Sequence, residues 1–259
     1  MTVSRGEQQG AGADEGGTPD VSVLIPCKNE ADNLPELIGE IEAALDGRTI
    51  EIIVIDDGSD DATQAVVTSL SAARPNLRLI RHDRSCGQSA ALRTGLLHAR
   101  AAIVMTIDGD GQNDPASMPA LLAALEAGGP PVAIAAGQRL KRTDSPAKRL
   151  ASRLANGLRA AMLKDGTRDS GCGLKVLRRD VFLLFPYFDG WHRYLPALAI
   201  REGYAVVHID VVDRSRRHGA SKYGILDRGL KGALDLFGVW WLLKRRRRVP
   251  VAMEIFPDD

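Results

Sequence analysis

The sequence predicts an α/β protein built on a mostly parallel central sheet. Three observations carry this. Short uncharged runs rich in β-branched residues recur as far as Arg139: VSVLIP, EIIVI, LRLIRH, the run AAIVMTI ending at Ile107, and VAIAAGQR. Helical patterns alternate with them, so the strands run parallel and carry helices on both faces. Several runs end abruptly in polar or acidic loops, and ligands of open α/β sheets bind at that end of the strands. A chain of 259 residues suffices for one large domain with a sizeable core.

The elements follow in order. Residues 1–18 (MTVSRGEQQGAGADEGGT) are Gly-rich and charged, and are expected to be a disordered tail ahead of a domain spanning 19–221. Val21–Pro26 is the first buried strand. Asp32 or Asn33 caps the next helix, where Leu34, Leu37, Ile38, Ile41 and Leu45 recur at helical spacing. Glu51–Ile55 is the second strand, stopped by DDGSDD, and a helix covers about Ala62–Ala73. Leu77–His82 is the third strand, and the helix after Cys86-Gly87 is the third helix. The run ending at Ile107 is a strand buried on both faces. Pro115 opens a helix to about Ala127, since proline suits a first helical position, and Val132–Arg139 is the fifth strand. Beyond it, Pro146–Leu163 reads as a helix with Leu150, Leu154 and Leu158 on one stripe, flanked by Lys148, Arg149, Arg153 and Arg159. Gly171–Phe185 holds a strand and a short helix, Tyr194–Glu202 a helix, Tyr204–Val211 a strand, and Ile225–Leu243 a final helix.

The loop DGDGQND after Ile107 is the centre of the chemistry. Asp108 and Asp110 offer two carboxylates just past a strand end, and Gly109 and Gly111 allow close backbone approach. Such a pair can hold a hard divalent cation and, through it, a diphosphate. Pro26-Cys27-Lys28-Asn29-Glu30 and Ile55-Asp56-Asp57-Gly58-Ser59 end the first two strands, so three polar loops converge on one crevice. An acidic crevice meets a diphosphate through a cation, and Mg²⁺ or Mn²⁺ suits oxygen ligands best. An EF-hand reading fails, because the sixth and twelfth positions counted from Asp108 are Asn113 and Pro119. A phosphatase using Asp-x-Asp as nucleophile stays open as another enzyme class. There is no Walker A loop and no GxGxxG after the first strand. Cys27, Cys86 and Cys172 form no CxxC pair and are expected to be reduced. The five histidines have no metal spacing and are expected to be structural or exposed.

IPCKNE, VIDDGSDDAT, TIDGDGQNDP and RRHGASKYG, in this order, resemble family-2 glycosyltransferases of the GT-A fold, and within them the polyprenyl-phosphate branch typified by dolichyl-phosphate mannosyltransferase. The resemblance runs from about Val21 to Trp241. It implies that Pro26, Lys28, Glu30, Ile55 and Asp57 line the nucleotide site, with Lys28 standing where the family has Tyr. It also implies that Asp108 and Asp110 are the family's Asp-x-Asp, that Gln112 joins them at the metal, and that Arg139 meets the acceptor phosphate. Arg216 and Lys222 bracket Arg-x-x-Gly-x-Ser-Lys, a segment implied to contact donor diphosphate and acceptor. Arg149 and Arg153 are weaker candidates for the same phosphate, and Asp169 lies in a segment the family uses near the acceptor. The implied reaction is inverting transfer of one sugar from a UDP- or GDP-linked donor to a polyprenyl phosphate. Two other readings remain: a soluble glycosyltransferase with a carbohydrate or protein acceptor, and a non-catalytic membrane-binding protein on the same scaffold.

The charge distribution points the same way. The net charge is only +1, yet Arg214, Arg216, Arg217, Lys222, Arg228, Lys231, Lys244 and Arg245 to Arg248 face only Asp227 and Asp235 in that stretch. An anionic partner is expected. Trp240 and Trp241 directly before KRRRR fit an interfacial helix on an anionic bilayer better than a nucleic-acid patch. Residues 222–259 are therefore expected to be a basic amphipathic membrane-interface segment. The block LFGVWWLL is far short of the roughly 20 residues a spanning helix needs, and the first twenty residues have no apolar signal core. The expectation is a peripheral, monotopic protein on the cytoplasmic face of the membrane.

Overall fold

The computed structural model describes residues 17–140, 157–214 and 225–246, with backbone alone for 225–231. Seven strands form one sheet: β1 (Val21–Cys27), β2 (Ile50–Asp56), β3 (Leu77–Arg81), β4 (Ile103–Thr106), β5 (Val132–Arg139), β6 (Lys175–Arg178) and β7 (Ala205–Val211). Their order is β3-β2-β1-β4-β6-β5-β7. The pairs β1/β2, β1/β4, β2/β3 and β5/β7 are parallel, while β6 runs antiparallel to β4 and β5 on either side. The mostly parallel sheet read from the sequence is thus observed, and among the described residues β6 is its one reversed strand.

On one face of the sheet, α1 (Leu34–Ala44), α2 (Thr63–Ser71) and α4 (Met118–Ala127) build a core with Val23, Ile25, Ile52, Val54 and Met105. In α1 the buried side chains are Leu34, Leu37, Ile38 and Ile41, the helical spacing of an amphipathic stripe. On the other face, α3 (Gln88–His98), α6 (Arg179–Leu184) and α7 (Leu195–Glu202) cover Leu24, Ile53, Ile55, Ile134 and Leu177 around the fully buried Trp191. A third cluster lies outside α7, where α8 (Ile225–Lys244) and the helical residues 157–163 (α5) bring Leu236, Val239 and Leu163 against Tyr194 and Ala197.

Local details differ from the sequence pattern for physical reasons. The Asn33 side chain does not cap α1; its amide donates to Glu30 Oε2 at 2.7 Å instead. Pro115 starts a 3₁₀ turn, Pro115–Ser117, because Asp114 accepts the Ala116 N–H at 2.9 Å and tightens the entry to α4. Arg159, read as a basic flank of an exposed stripe, is buried: both its terminal nitrogens donate to the buried Asp165 carboxylate. Leu158 of the same stripe is exposed, whereas Lys148, Arg149, Leu150, Arg153 and Leu154 lie outside the described residues.

Candidate functional site

The loops after β1 and β2 are zipped together. Asn29, at φ 59°, donates its N–H to Ser59 Oγ at 2.9 Å, and its side-chain oxygen accepts the Asp60 N–H at 3.0 Å. The Glu30 N–H reaches Thr63 Oγ1 at 3.0 Å, so Glu30 is held at the start of the crevice while Lys28 is exposed beside it. Pro26 is buried within β1. The Ile55 side chain is fully buried under α3, against Gly95, where a Cβ would come within 2.8 Å of Ile55 Cδ1. A strand alternates its side chains between the two faces of the sheet, and Ile55 belongs to the α3 face.

Asp57 is firmly anchored in the crevice. It accepts from the N–H groups of Cys86 and Gly87, from Ser85 Oγ, and pairs with His82 Nδ1, all at 2.8 Å. Burial pushes its pKa up, but the Cys86 N–H, His82, Ser85 and Gly87 together outweigh this and hold the group below the ordinary carboxylate range. Asp57, His82 and Cys86 have metal-ligand types within 4.8 Å of one another. However, both Asp57 oxygens already serve these four donors, and His82 Nε2 is 2.9 Å from Thr94 Oγ1. The cluster ties the loop after β3 to the loop after β2.

The acidic loop after β4 presses onto the end of β1, since a Cβ on Gly109 would lie 2.9 Å from Cys27 Cβ. Asp108 accepts from Gln88 Nε2 at 2.7 Å, and Asp110 accepts the Gln112 N–H at 3.1 Å. Gly173 abuts Asp108 so closely that an added Cβ would fall 2.3 Å from its carboxyl carbon. Burial first, and the Asp110 charge second, raise the Asp108 pKa to about 6, with Lys175 and Arg139 acting in the opposite direction. A divalent cation fits this donor set. Its ligands would be the oxygens of Asp108, Asp110 and Gln112, and its charge would offset both the burial and the repulsion. The Gln112 carbonyl also accepts the Arg214 N–H at 2.7 Å, and Arg214 pairs with Glu40 and Asp114. Arg216 and Lys222 lie just beyond, outside the described residues, as does His218.

Behind Asp108 is a chamber of about 390 Å³, whose polar wall includes Gln88, Thr106, Arg139, Lys175 and His192. Arg139 is gripped by Asp169, with Nε 2.5 Å from Oδ2 and Nη2 2.9 Å from Oδ1, and Asp213 stands 3.6 Å from Nη1. These partners hold the guanidinium in its charged form. Lys175 is 4% exposed and donates to the Cys172 carbonyl. His192 Nδ1 is 2.8 Å from Ser89 Oγ, which accepts the Gly190 N–H at 2.9 Å. Desolvation, then the charges of Arg193 and Lys175, push the His192 pKa down to about 3, so the imidazole is neutral at pH 7. The structure therefore brings together Glu30, Asp57, Asp108, Gly109, Asp110, Gln112 and Arg139. It adds Gln88 and Lys175, which sequence reasoning passed over, and His192, one of the histidines expected to be structural or exposed. For Lys175, the only signal was a lysine in a strand otherwise apolar on that face.

The reversed β6 and an acidic loop at the carboxyl end of β4 define a GT-A α/β fold. A Pyrobaculum calidifontis mannosyltransferase, solved with GDP-Man and Mn²⁺, superposes with TM-score 0.64 at 24% identity, covering 90% of this chain and 66% of that one. The Mycobacterium tuberculosis glucosyl-3-phosphoglycerate synthase, solved with Mn²⁺, UDP-glucose and phosphoglyceric acid, gives 0.62 at 19% identity over 93% and 85%. The chain belongs to glycosyl transferase family 2, whose model matches residues 22–184. Among its relatives, the undecaprenyl-phosphate 4-deoxy-4-formamido-L-arabinose transferase of Edwardsiella ictaluri is 35% identical over 210 residues, 80% of this chain. The dodecaprenyl-phosphate galacturonate synthase of Rhizobium johnstonii is 30% identical over 88% of this chain and 69% of its own length. The chain spans 63% of the Edwardsiella protein.

Proposed function

We propose that this chain transfers one sugar from a nucleotide-diphosphate sugar to a polyprenyl phosphate, with inversion, at the cytoplasmic face of a membrane and with Mg²⁺ or Mn²⁺ as cofactor. The observation that carries the reading is the juxtaposition of Asp108 and Asp110 with a chamber walled by Arg139 and Lys175: a cation-holding rim for the departing diphosphate beside a cationic interior. Relatives that act on undecaprenyl and dodecaprenyl phosphates support the acceptor class.

The acceptor's phosphate oxygen forms a bond to the anomeric carbon as the bond from that carbon to the diphosphate breaks, and the electron pair leaves with the nucleoside diphosphate. A phosphate monoester is largely dianionic near pH 7, so it becomes a monoanionic diester without needing a general base. The side chains have to orient two anions and offset their charge. A divalent cation, when bound, stabilises charge on the leaving diphosphate. Glu30 and Asp57 border the nucleotide, Gln88 orients Asp108, and Asp169 orients Arg139 in the chamber wall.

Helix α8 supports the membrane part of the reading. Leu234, Phe237 and Trp241 are half or more exposed on one side, while Leu236 and Val239 are buried on the other. Lys244, Arg245 and Arg246 are exposed at its end, with the Arg245 guanidinium 5.7 Å from the Trp241 ring centre. Among the described residues, no helix is long and apolar enough to cross a membrane. An apolar stripe ending in cations suits an anionic interface, at about 1 kcal/mol per basic residue.

Asp110→Asn tests the reading. Thermal stabilisation by UDP or GDP with Mn²⁺ is expected in the wild type and lost in the variant, along with transfer, at unchanged circular dichroism. Full transfer by the variant would remove the metal role, and transfer to free glycans but not to polyprenyl phosphate would favour a soluble enzyme.

A further inference from the structure

Lys175 occupies a position where the sheet asks for an apolar residue. It pairs in register with Thr106 on β4 and Ala136 on β5, at the chamber end of β6. By strand alternation its side chain shares a face with Leu177, and that face packs Leu24, Val104, Ile134 and Ala136 beneath α3 and α7. An ammonium at 4% exposure is strongly disfavoured by desolvation, which lowers its pKa. Nothing in core packing requires a cation there.

Its hydrogen bonding is incomplete. An ammonium has three donors, and among the described residues only the Cys172 carbonyl accepts from it. Asp108 and Asp169 attract it electrostatically without a hydrogen bond to it. The remaining donors border the chamber of about 390 Å³. Arg139, the guanidinium in the same wall, has Nε and Nη2 committed to Asp169 and Nη1 facing Asp213. Arg193 also lines the chamber but is exposed, so among the described residues Lys175 is the buried ammonium there with donors beyond its one hydrogen bond.

We propose that Lys175 binds the acceptor's phosphate directly, donating to a phosphoryl oxygen in the chamber behind Asp108, beside the Arg139 guanidinium that Asp169 and Asp213 hold in place. This rests on the transferase reading above. Asp110 and Gln112, assigned to the donor diphosphate through the cation, are not among the residues lining the chamber, so a phosphate held by Lys175 is a separate contact. A bound phosphate also supplies the acceptors that the buried ammonium lacks, which explains a lysine in an apolar layer. The shared ligand chemistry, a phosphoryl oxyanion, is also offered by the donor, and the experiment separates the two sources.

The probes are farnesyl monophosphate, farnesol as its phosphate-free counterpart, and UDP or GDP with Mn²⁺, each titrated against the full chain by calorimetry. For Lys175→Met, farnesyl monophosphate affinity is expected to fall at least about tenfold, the scale of a hydrogen bond to a charged group. Farnesol and nucleotide affinities are expected to stay within about twofold. Lys175→Arg is expected to recover part of the loss. Unchanged circular dichroism and retained nucleotide affinity in Lys175→Met separate a lost phosphate contact from misfolding. Undiminished farnesyl monophosphate binding by Lys175→Met overturns the proposal and leaves the transferase reading standing. Loss of nucleotide binding instead overturns it in favour of a donor contact. A wild type that binds nucleotide with Mn²⁺ but no farnesyl monophosphate overturns both the acceptor assignment and the proposal.

Discussion

Gly173→Ala tests the geometry of the acidic loop without touching a charge. The added Cβ would meet Asp108 Cγ at 2.3 Å and its oxygens at 2.4 and 2.5 Å. Non-bonded carbon atoms settle at about 3.5–4.0 Å, so the carboxylate must retreat by roughly 1 Å or more. Gly173 is not at positive φ, so alanine imposes no backbone strain and restricts the unfolded chain, a gain of about 0.4–1 kcal/mol. Against this stands the hydrogen bond from Gln88 to Asp108, 2.7 Å long, whose loss costs about 1 kcal/mol. Net stability should change by no more than about 1 kcal/mol. A displacement of about 1 Å in a catalytic constellation costs on the order of 100-fold, so kcat/KM for transfer to polyprenyl phosphate should fall by about that factor. Gly171→Ala is the control. Its Cβ would come 3.2 Å from Arg139 Nη2, which must give by a few tenths of an ångström, and 3.6 Å from Asp169 Oδ1, an ordinary contact, so a smaller loss is expected. Steady-state transfer with a Mn²⁺ titration reads both. Wild-type kcat/KM and metal dependence in Gly173→Ala would refute the idea that the glycine sets the position of Asp108.

Two other perturbations probe the walls of the site. Asp57→Asn should lower stability by about 2 kcal/mol at pH 7, because an amide cannot accept four donors. The folded pKa of Asp57 is depressed below 3.8, so its contribution is present above the unfolded value and is lost as pH falls through the folded one. The gap between wild type and variant in urea denaturation should therefore hold from pH 7 to about pH 5 and close below about pH 4; a gap independent of pH would refute the charge-based account. On α8, the pair Phe237→Ser and Trp241→Ser should weaken binding to anionic liposomes by at least tenfold, since burying each large side chain is worth about 1.5–3 kcal/mol. The fold should be retained because both side chains are exposed, and unchanged liposome flotation would point to another anchor.

Much of the fold was legible in the sequence because its signals are local. Leu34, Leu37, Ile38 and Ile41 mark α1 through their own spacing, and Val132–Arg139 reads as a strand from β-branched and small apolar residues alone. Asp108 and Asp110 were visible for the same reason: two carboxylates and two glycines after an apolar run make a ligand loop whatever surrounds them. Face assignment was less accessible. Ile55 has the sequence context of a site residue, and only its pairing within β2 and the approach of Gly95 turn it into the core.

The chamber is where tertiary structure decided the outcome. Its polar wall joins Gln88 at the start of α3, and His192 against the adjacent Ser89, to Thr106, Arg139 and Lys175 at strand ends. Insertion of β6 between β4 and β5 sets Lys175 beside Thr106, and this pairing across distant parts of the chain has no signature in either segment. The same placement lets Asp169 grip Arg139 from thirty residues away, so the arginine that the family resemblance nominated for the acceptor is held in one orientation. The sequence by itself determined the alternating strands, the amphipathic helices and the acidic rim, all consequences of short-range residue chemistry. How many donors the buried Lys175 has to spare depends on what lies beside it, and only the folded chain decides that.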